Sequence, residues 1–369
     1  MMRRTPNAGP IARTVFVAAV WIGFLPQVAI AQNAGAPSYQ GKTITLIVNY
    51  PAGGPTDIEG RVVALHLPDH IPGHPAVVVK NVGGGSGLLG SNQLGDAVPN
   101  GETLGFLTVE MIGQILGNPG IRTKFSDFTL IGGVAAPLVV YTRRDTPPGI
   151  KVAADVMKAR DFKTLSLNVQ SINTLALTLA LDLLGLQYQP VPAYIGLKEV
   201  ETAILQNVGQ MADTSLSGWT GSVEPAMSNV VIPLWQLSPR ARDGSYPRSP
   251  AVPDLPTFEE FYASVTGGKS PAGDFRYQVL RVTSDPQLAM FRIILMPPKA
   301  PERIVAIMRT AVNEMWQDPA FLADYTKMLH TRPILLSGSD GQQVLTDIAA
   351  VPAEIKNFVI DYANRMTSK

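Results

Sequence analysis

Two glycine-rich loops are the parts of this 369-residue chain whose residue types and spacing best suit ligand chemistry. Gly53 and Gly54 follow the apolar run 43–49, and the glycine cluster 83–87 follows the apolar run 76–79. Glycines after a strand let the backbone turn sharply, and the next helix then presents free N–H groups with a partial positive charge. Two such loops on adjacent strands would face one crevice, which predicts a cradle for a small carboxylate. Tight turns that use glycine only for their geometry are the alternative.

The second loop also matches the dinucleotide-binding fingerprint. Gly85, Gly87 and Gly90 form a G-x-G-x-x-G pattern after a strand and before a helix, and Glu110 lies 20 residues beyond Gly90. Tyr194 begins a Y-x-x-x-K pattern of the kind found in short-chain dehydrogenases. However, the fingerprint follows the second strand rather than the first, and no serine stands about a dozen residues before Tyr194. An exported nucleotide-dependent oxidoreductase is therefore the alternative hypothesis.

Three histidines repeat at a spacing of four residues, as His66, His70 and His74. Prolines between them interrupt the predicted helix, so we predict solvated surface histidines and no bound metal or other cofactor. The chain has no cysteine and only His330 outside this cluster. The absence of cysteine excludes disulfides, zinc–thiolate sites and thiol nucleophiles, and the small number of histidines disfavours a histidine-dependent catalytic triad. We therefore expect a binding protein and not an enzyme.

The first 31 residues have the pattern of a secretory signal peptide. Three arginines and no acidic residue accompany an apolar run at 15–25, which ends at the A-x-A sequence Ala29-Ile30-Ala31. That run is shorter than the about 20 apolar residues that span a bilayer. We expect cleavage after Ala31 and export to the periplasm, with an uncleaved anchor as the alternative.

Composition narrows the class of protein further. The net charge is +1, 46% of the residues are hydrophobic and 16% are charged, which disfavours a disordered chain. A near-neutral chain without a basic block also lacks the electrostatic footprint of a nucleic-acid-binding protein. The length suits about two domains.

The elements that must position these loops alternate between strands and helices. Strands are predicted at residues 43–49, 76–79, 103–107, 138–142, 165–169, 189–192, 211–214 and 230–237. Helices are predicted after Thr56 or Asp57, which are candidate N-caps, and at residues 174–184, 197–207, 257–264, 301–329 and 340–366. This alternation predicts an α/β protein with mostly parallel sheets, whose ligand crevices lie beyond the carboxyl ends of the strands.

Six sequence blocks in order resemble the Bug family, the solute-binding proteins of the tripartite tricarboxylate transporter system. They are residues 47–57, 78–90, 99–104, 191–196, 253–259 and 297–301, and the resemblance spans about residues 43–363. It implies a two-lobed periplasmic-binding-protein fold, a type II-like Venus flytrap, that closes on a di- or tricarboxylate or an aromatic acid. It also implies membrane permease subunits as partners. We expect a monomer that does not bind nucleic acid.

The resemblance also implies an organisation and a site. Residues 1–31 would be the signal peptide, 32–40 a linker, 41–137 the first lobe, 138–284 the second lobe, and 285–369 the return to the first lobe with the C-terminal helices. The predicted ligand-binding residues come from the two glycine loops and from the second lobe: Ala52, Gly53, Gly54, Thr56, Asp57, Gly84, Gly85, Ser86, Gly87, Gln170, Ser171, Thr174, Tyr194, Gly196 and Asp213.

Several residues depart from the family pattern. The segment 168–174 lacks the usual histidine, Asp213 comes one residue late, and Phe291 stands where a tryptophan is common. These departures leave the ligand open, and a ligand-sensing receptor without a transport role remains an alternative.

Overall fold

The structure is a computed structural model that describes residues 1–2, 38–108, 111–241, 243–347 and 351–367. Residues 3–31 of the predicted signal peptide and Glu110 lie outside these described residues. The strands are β1 Thr43–Val48, β2 Ala76–Asn81, β3 Thr103–Leu107, β4 Thr129–Ala135, β5 Leu138–Arg143, β6 Lys163–Ser166, β7 Gln189–Pro192, β8 Met211–Ser215, β9 Val231–Leu237, β10 Arg292–Met296 and β11 Ile334–Ser337.

Helices follow most of these strands. They are α1 Pro55–His70, α2 Leu88–Gly95, α3 Met111–Ile115, α4 Ile172–Leu183, α5 Leu197–Leu205, α6 Leu216–Gly218, α7 Glu224–Met227, α8 Phe258–Val265, α9 Phe275–Ala289, α10 Glu302–Met315, α11 Pro319–Leu329, α12 Gly338–Asp347 and α13 Ala353–Thr367. No helix in the described part of the chain is long and apolar enough to cross a membrane.

The strands form two sheets, which confirms the predicted two-lobed α/β fold. The first sheet has the order β11-β4-β10-β3-β1-β2 and the second has the order β7-β6-β8-β5-β9. Pairing is parallel around β1 and between β6 and its neighbours, but β10 and β5 run antiparallel to the strands beside them. The edge strand β11 also pairs antiparallel with β4, so both sheets are mixed where mostly parallel pairing was predicted.

Apolar residues hold the second lobe together. Helix α4 is apolar on nearly every face and is buried among α9 and the second sheet. Helix α13 joins this cluster through Ile355, Val359 and Tyr362, whose spacing makes one apolar stripe. Tyr362 Oη also donates to Asp182 Oδ2 at 2.5 Å. The last helix thus lies on the second lobe, whereas the resemblance implied a return to the first.

Helix α1 differs from its prediction at both ends. Its N-cap is Gly54, and Pro55 takes the first helical position, where a proline's fixed φ and missing N–H are tolerated. The predicted caps Thr56 and Asp57 are therefore already inside the helix. At the other end the helix continues through Pro68 to His70, because Pro68 falls in the last turn and disturbs little beyond it.

The histidines of α1 pack against α11 instead of being solvated. His66 is 8% exposed, its Nε2 lies 3.0 Å from Asp324 Oδ2, and its ring meets Phe321 edge-on. His70 Nε2 lies 3.2 Å from Asp318 Oδ2. The prediction of surface histidines was wrong for His66, since α11 covers that face of α1. Among the described residues, no group of three or more His, Cys, Asp or Glu is placed to hold a metal ion.

Candidate functional site

A cavity of about 170 Å³ lies where the carboxyl ends of strands from both sheets meet. This is smaller than the roughly 300–1,000 Å³ typical of pockets for drug-sized ligands, so it suits a small metabolite. The lining residues come from the loops after β1, β3, β6 and β7 and from the start of β10: Tyr50, Pro51, Ala52, Gly54, Pro55, Thr56, Thr108, Leu167, Asn173, Gly196, Leu197, Lys198, Glu199, Phe291 and Arg292.

The loop after β1 forms the first-lobe wall of the cavity. Ala52, Gly54 and Thr56 line the cavity, and the N-terminus of α1 opens at this wall. The first amides of a helix have no acceptor within the helix and carry a partial positive charge. Thr56 Oγ1 lies 3.3 Å from Thr108 Oγ1, so two hydroxyls stand beside these amides. This wall can receive an anion.

Asparagine and aspartate side chains beneath the wall hold the loop in shape. Buried Asn49 donates to the carbonyl oxygen of Thr108 at 2.8 Å and accepts from its N–H at 3.0 Å. Asp57 does not line the cavity; its Oδ2 accepts from Gly53 N at 2.8 Å and from Arg61 Nε at 2.9 Å. Although partial burial opposes the effect, the bonds from Arg61, Gly53 and Asn81 lower the pKa of Asp57. Gly53 and Asp57 therefore brace the loop from behind.

The second glycine loop does not reach the cavity lining. Tyr50 lines the cavity, and its hydroxyl donates to the carbonyl oxygen of Ser86 at 3.2 Å. The loop residues Gly84, Gly85, Ser86 and Gly87 all have positive φ values. A Cβ on Gly87 would lie 2.3 Å from Asn49 Nδ2, so this glycine is required by close packing. Turn geometry thus accounts for these glycines.

The second-lobe wall is formed by Leu167, Asn173 and the start of α5. Gly196 lines the cavity and faces the first lobe, since a Cβ on it would lie 3.6 Å from Pro51 Cγ. This is the predicted second-lobe residue that the structure places in the lining.

The other predicted second-lobe residues are used elsewhere. Ser171 caps α4 by accepting from Asn173 N at 3.3 Å, and Thr174 Oγ1 donates to Leu167 O at 3.0 Å. Gln170 accepts from Asn118 at 2.5 Å. The ring of Tyr194 packs against the apolar cluster beneath α5. Their hydrogen bonds and packing stabilise the loops around the cavity, and none of the four is part of its lining.

Asp213 lies one residue behind the cavity. It is 2% exposed, and Asn173 Nδ2, from the lining, donates to Asp213 Oδ2 at 2.6 Å. Burial raises the pKa of Asp213 to about 7, against the opposing effect of the bond from Asn173. Asp213 therefore orients a lining amide, and its carboxyl changes protonation near neutral pH.

Sequence reasoning missed Arg292. It begins β10, lines the cavity beside Phe291, and is 2% exposed. Its Nη1 donates to Phe291 O at 3.1 Å, its guanidinium carbon lies 4.4 Å from the centre of the Phe291 ring, and its Nε lies 3.5 Å from Glu59 Oε1. The signal was present as one cation in the apolar run 290–296, but β10 itself was not predicted.

The two lobes touch beside the cavity. Ser217, which follows β8, donates to Glu59 Oε1 on α1 at 2.5 Å, and Thr220 donates to Leu329 O at the end of α11. The structure is therefore a closed arrangement. A small cavity with helix amides, hydroxyls, a buried cation and apolar walls, shut by contact between lobes, can enclose and hold a small anion.

The chain is similar in sequence to two bacterial proteins. No protein-family model matches the chain. It is 27% identical over 243 residues to a UPF0065 protein from the TAR-I ttuE-ttuC' intergenic region of Agrobacterium vitis, covering 64% of this chain and 65% of that protein. It is 37% identical over 81 residues to the protein BugT of Bordetella pertussis, covering 22% and 24%. The chain thus matches less than two thirds of the length of these relatives.

Three solved structures have a similar fold. The periplasmic binding protein BugD has a TM-score of 0.62 at 21% identity, over 89% of this chain and 98% of its own. A Rhodopseudomonas palustris protein with adipate has a TM-score of 0.68 at 18% identity, over 87% and 98%. MatC from the same organism, with bound malate, has a TM-score of 0.62 at 18% identity, over 86% and 99%.

Proposed function

We propose that this chain is a Bug-type solute-binding protein that captures a small organic carboxylate between its lobes in the periplasm, and its similarity to BugT and to the fold of BugD supports this. It then delivers that acid, as a monomer, to the membrane subunits of a tripartite tricarboxylate-type transporter. The observation that carries this proposal is the closed cavity, in which the N-terminus of α1, Thr56 and Arg292 meet one small space. The proteins of similar fold that hold malate and adipate support a carboxylate ligand.

The first lobe supplies both the polar and the apolar contacts of this proposal. One carboxylate of the ligand accepts hydrogen bonds from the first amides of α1 and from the hydroxyls of Thr56 and Thr108. Arg292 supplies positive charge from β10 of the same lobe, and Phe291 beside it gives the ligand's carbon skeleton an apolar surface. Closure removes water from these groups, which strengthens each electrostatic contact.

A thermal-shift screen of purified protein against organic acids and nicotinamide cofactors tests the ligand class. An acid present at a hundredfold excess over its Kd should stabilise the folded protein by about 2.7 kcal/mol. Stabilisation by NADH alone, with no acid giving a shift, would contradict the proposal and favour an oxidoreductase.

Gly54→Ala tests the anion-binding wall directly. Gly54 has φ −85°, and an added Cβ would meet only Pro51 O, at 3.7 Å, so the fold tolerates the methyl group. That methyl group would intrude on the ligand at the lining, and we expect affinity for the acid found in the screen to fall about tenfold or more. Gly273→Ala, where a Cβ meets nothing within 4 Å, is the matched control. Unchanged affinity in Gly54→Ala would remove α1 from the binding site.

Uptake measurements separate transport from sensing. Deleting the gene should abolish cellular uptake of the acid at low external concentration if the protein feeds a transporter. Normal uptake with a lost transcriptional response would instead favour a ligand-sensing receptor.

A further inference from the structure

A buried acid on α1 joins the ligand cavity to the contact between the lobes. Glu59 is 2% exposed, and the nearest cation is Arg292, which is equally buried and lines the cavity. A buried charge without a partner is strongly destabilising, so these two groups stay together whatever the position of the lobes. Tyr325 of α11 fixes the carboxylate further, since its hydroxyl donates to Glu59 Oε2 at 2.9 Å.

The remaining partner of Glu59 belongs to the other lobe. Ser217 Oγ donates to Glu59 Oε1 at 2.5 Å, and this is the same oxygen that lies 3.5 Å from Arg292 Nε. Ser217 is itself buried, and its Oγ lies 3.0 Å from that of Ser215, the N-cap of α6. The second-lobe donor is therefore held on a capped turn and aimed at one oxygen of the first-lobe ion pair.

Opening the lobes would break one of these contacts and keep the others. Arg292, Glu59 and Tyr325 belong to β10, α1 and α11 of the first lobe, so their mutual contacts survive a rigid-body movement. The bond from Ser217 crosses between the lobes, so it is the contact that separation of the lobes at this point would break. Hydrogen bonds to an ionised acceptor are about twice as strong as neutral ones, so Ser217 contributes more to closure than an ordinary hydroxyl would.

We propose that Glu59 is the positioning residue that couples the ligand cavity to lobe closure. Its carboxylate accepts the hydrogen bond from Ser217 of the second lobe and also pairs with Arg292 in the cavity wall. The inference rests on the proposed closure around a ligand, and it adds the residue through which the two events communicate. A ligand carboxylate that interacts with Arg292 changes the electrostatic potential at Glu59 Oε1. This alters the strength of the hydrogen bond that Ser217 donates to that oxygen.

The distance between the lobes in solution is the measurement that tests this coupling. The chain contains no cysteine, so Leu65→Cys on the first lobe and Val208→Cys on the second, both exposed, give two unique sites for fluorescent labels. Single-molecule energy transfer on the full labelled chain then yields the closed-to-open ratio, without ligand and with adipate or malate as probes.

Ser217→Ala should lower the closed-to-open ratio about tenfold or more relative to the parent, with or without a probe acid. Thr220→Val is the matched control, because its hydroxyl also crosses between the lobes but reaches a main-chain carbonyl and no charge. It should change the ratio by about threefold or less. Equal effects of the two variants would overturn the proposal, as would a parent chain that is open under every condition.

A double variant separates coupling from a simple contact. Glu59→Gln with Arg292→Gln removes both buried charges together and so avoids leaving either one unpaired. In that background Ser217→Ala should lower the ratio by about threefold or less, because the bond no longer involves an ion. The same tenfold loss there would show that Ser217 stabilises closure without the Glu59–Arg292 ion pair, and it would overturn the proposal. If the parent chain closes normally but no acid changes its closed-to-open ratio, the proposed ligand class is wrong, and the Ser217 variants still decide whether the Glu59–Arg292 ion pair controls closure.

Discussion

The buried carboxyl of Asp213 should make the stability of the protein fall as the pH rises towards neutrality. Its folded-state pKa is about 7, against 3.8 for the unperturbed group. The folded protein therefore holds a proton that the unfolded chain releases. The stabilising contribution is complete below about pH 4 and is lost as the pH rises through 7. At about 1.36 kcal/mol for each pKa unit, the whole loss is about 4 kcal/mol, of which roughly 3 kcal/mol falls between pH 5 and 8.

Asp213→Asn isolates this contribution because the amide has nearly the same shape and cannot ionise. Its new oxygen can still accept the hydrogen bond from Asn173. We expect the free energy of unfolding of the variant, relative to wild type, to rise by roughly 3 kcal/mol from pH 5 to pH 8.

Urea unfolding at several pH values measures this difference, and groups common to both proteins cancel. Asp243→Asn is the control: bonds from Ser245 lower the pKa of this exposed group, so its titration lies below the window. Parallel pH profiles for Asp213→Asn and wild type would refute the assignment of a neutral Asp213 at pH 5.

Three further substitutions test the placement of residues. Tyr194→Ala should lower the melting temperature but leave acid affinity unchanged, because its ring packs beneath α5; weakened binding would restore the role predicted from sequence. Gly85→Val should cost about 1–3 kcal/mol of stability, since φ there is +58°, and affinity should again be spared in binding assays on the folded fraction. Arg281→Met should destabilise the protein in urea by about 3–5 kcal/mol because it leaves Glu259 and Asp285 without their buried cation, whereas the exposed Arg248→Met should cost less than about 1 kcal/mol.

The sequence was sufficient for the parts of the fold that have strong local signals. Strand Thr103–Leu107, for example, was predicted with the correct bounds, because a mostly apolar run after the turn at residues 99–101 identifies it. The resemblance to the Bug proteins is likewise confirmed. Strand β4, which carries two glycines, and β10, which begins with a buried arginine, were not predicted, since both break the expected apolar composition.

The candidate site was harder to predict because its membership depends on contacts distant in sequence. The local sequence pattern was enough to find the loop at Gly54. That residues 84–87 lie outside the cavity lining depends on the side chain of Tyr50, which no local pattern predicts. Arg292 enters the cavity only because β10 inserts beside β3. The pKa of Asp213 depends on burial beneath α4, which no spacing rule reveals.

The position of β10 also has a consequence for how the chain reaches this structure. The second sheet is assembled from the continuous stretch β5 to β9, whereas the first sheet needs β10 to fill the space between β3 and β4. Contacts between segments distant along the chain form slowly, since the loop-closure entropy must be lost before they are made. The second sheet can therefore form once residues 138–237 are available, although α13 packs on that lobe later, while the first sheet remains incomplete until β10 arrives. The strand that brings Arg292 to the ligand is thus also the one that completes the first lobe, so a binding-competent cavity exists only in chains that have finished folding.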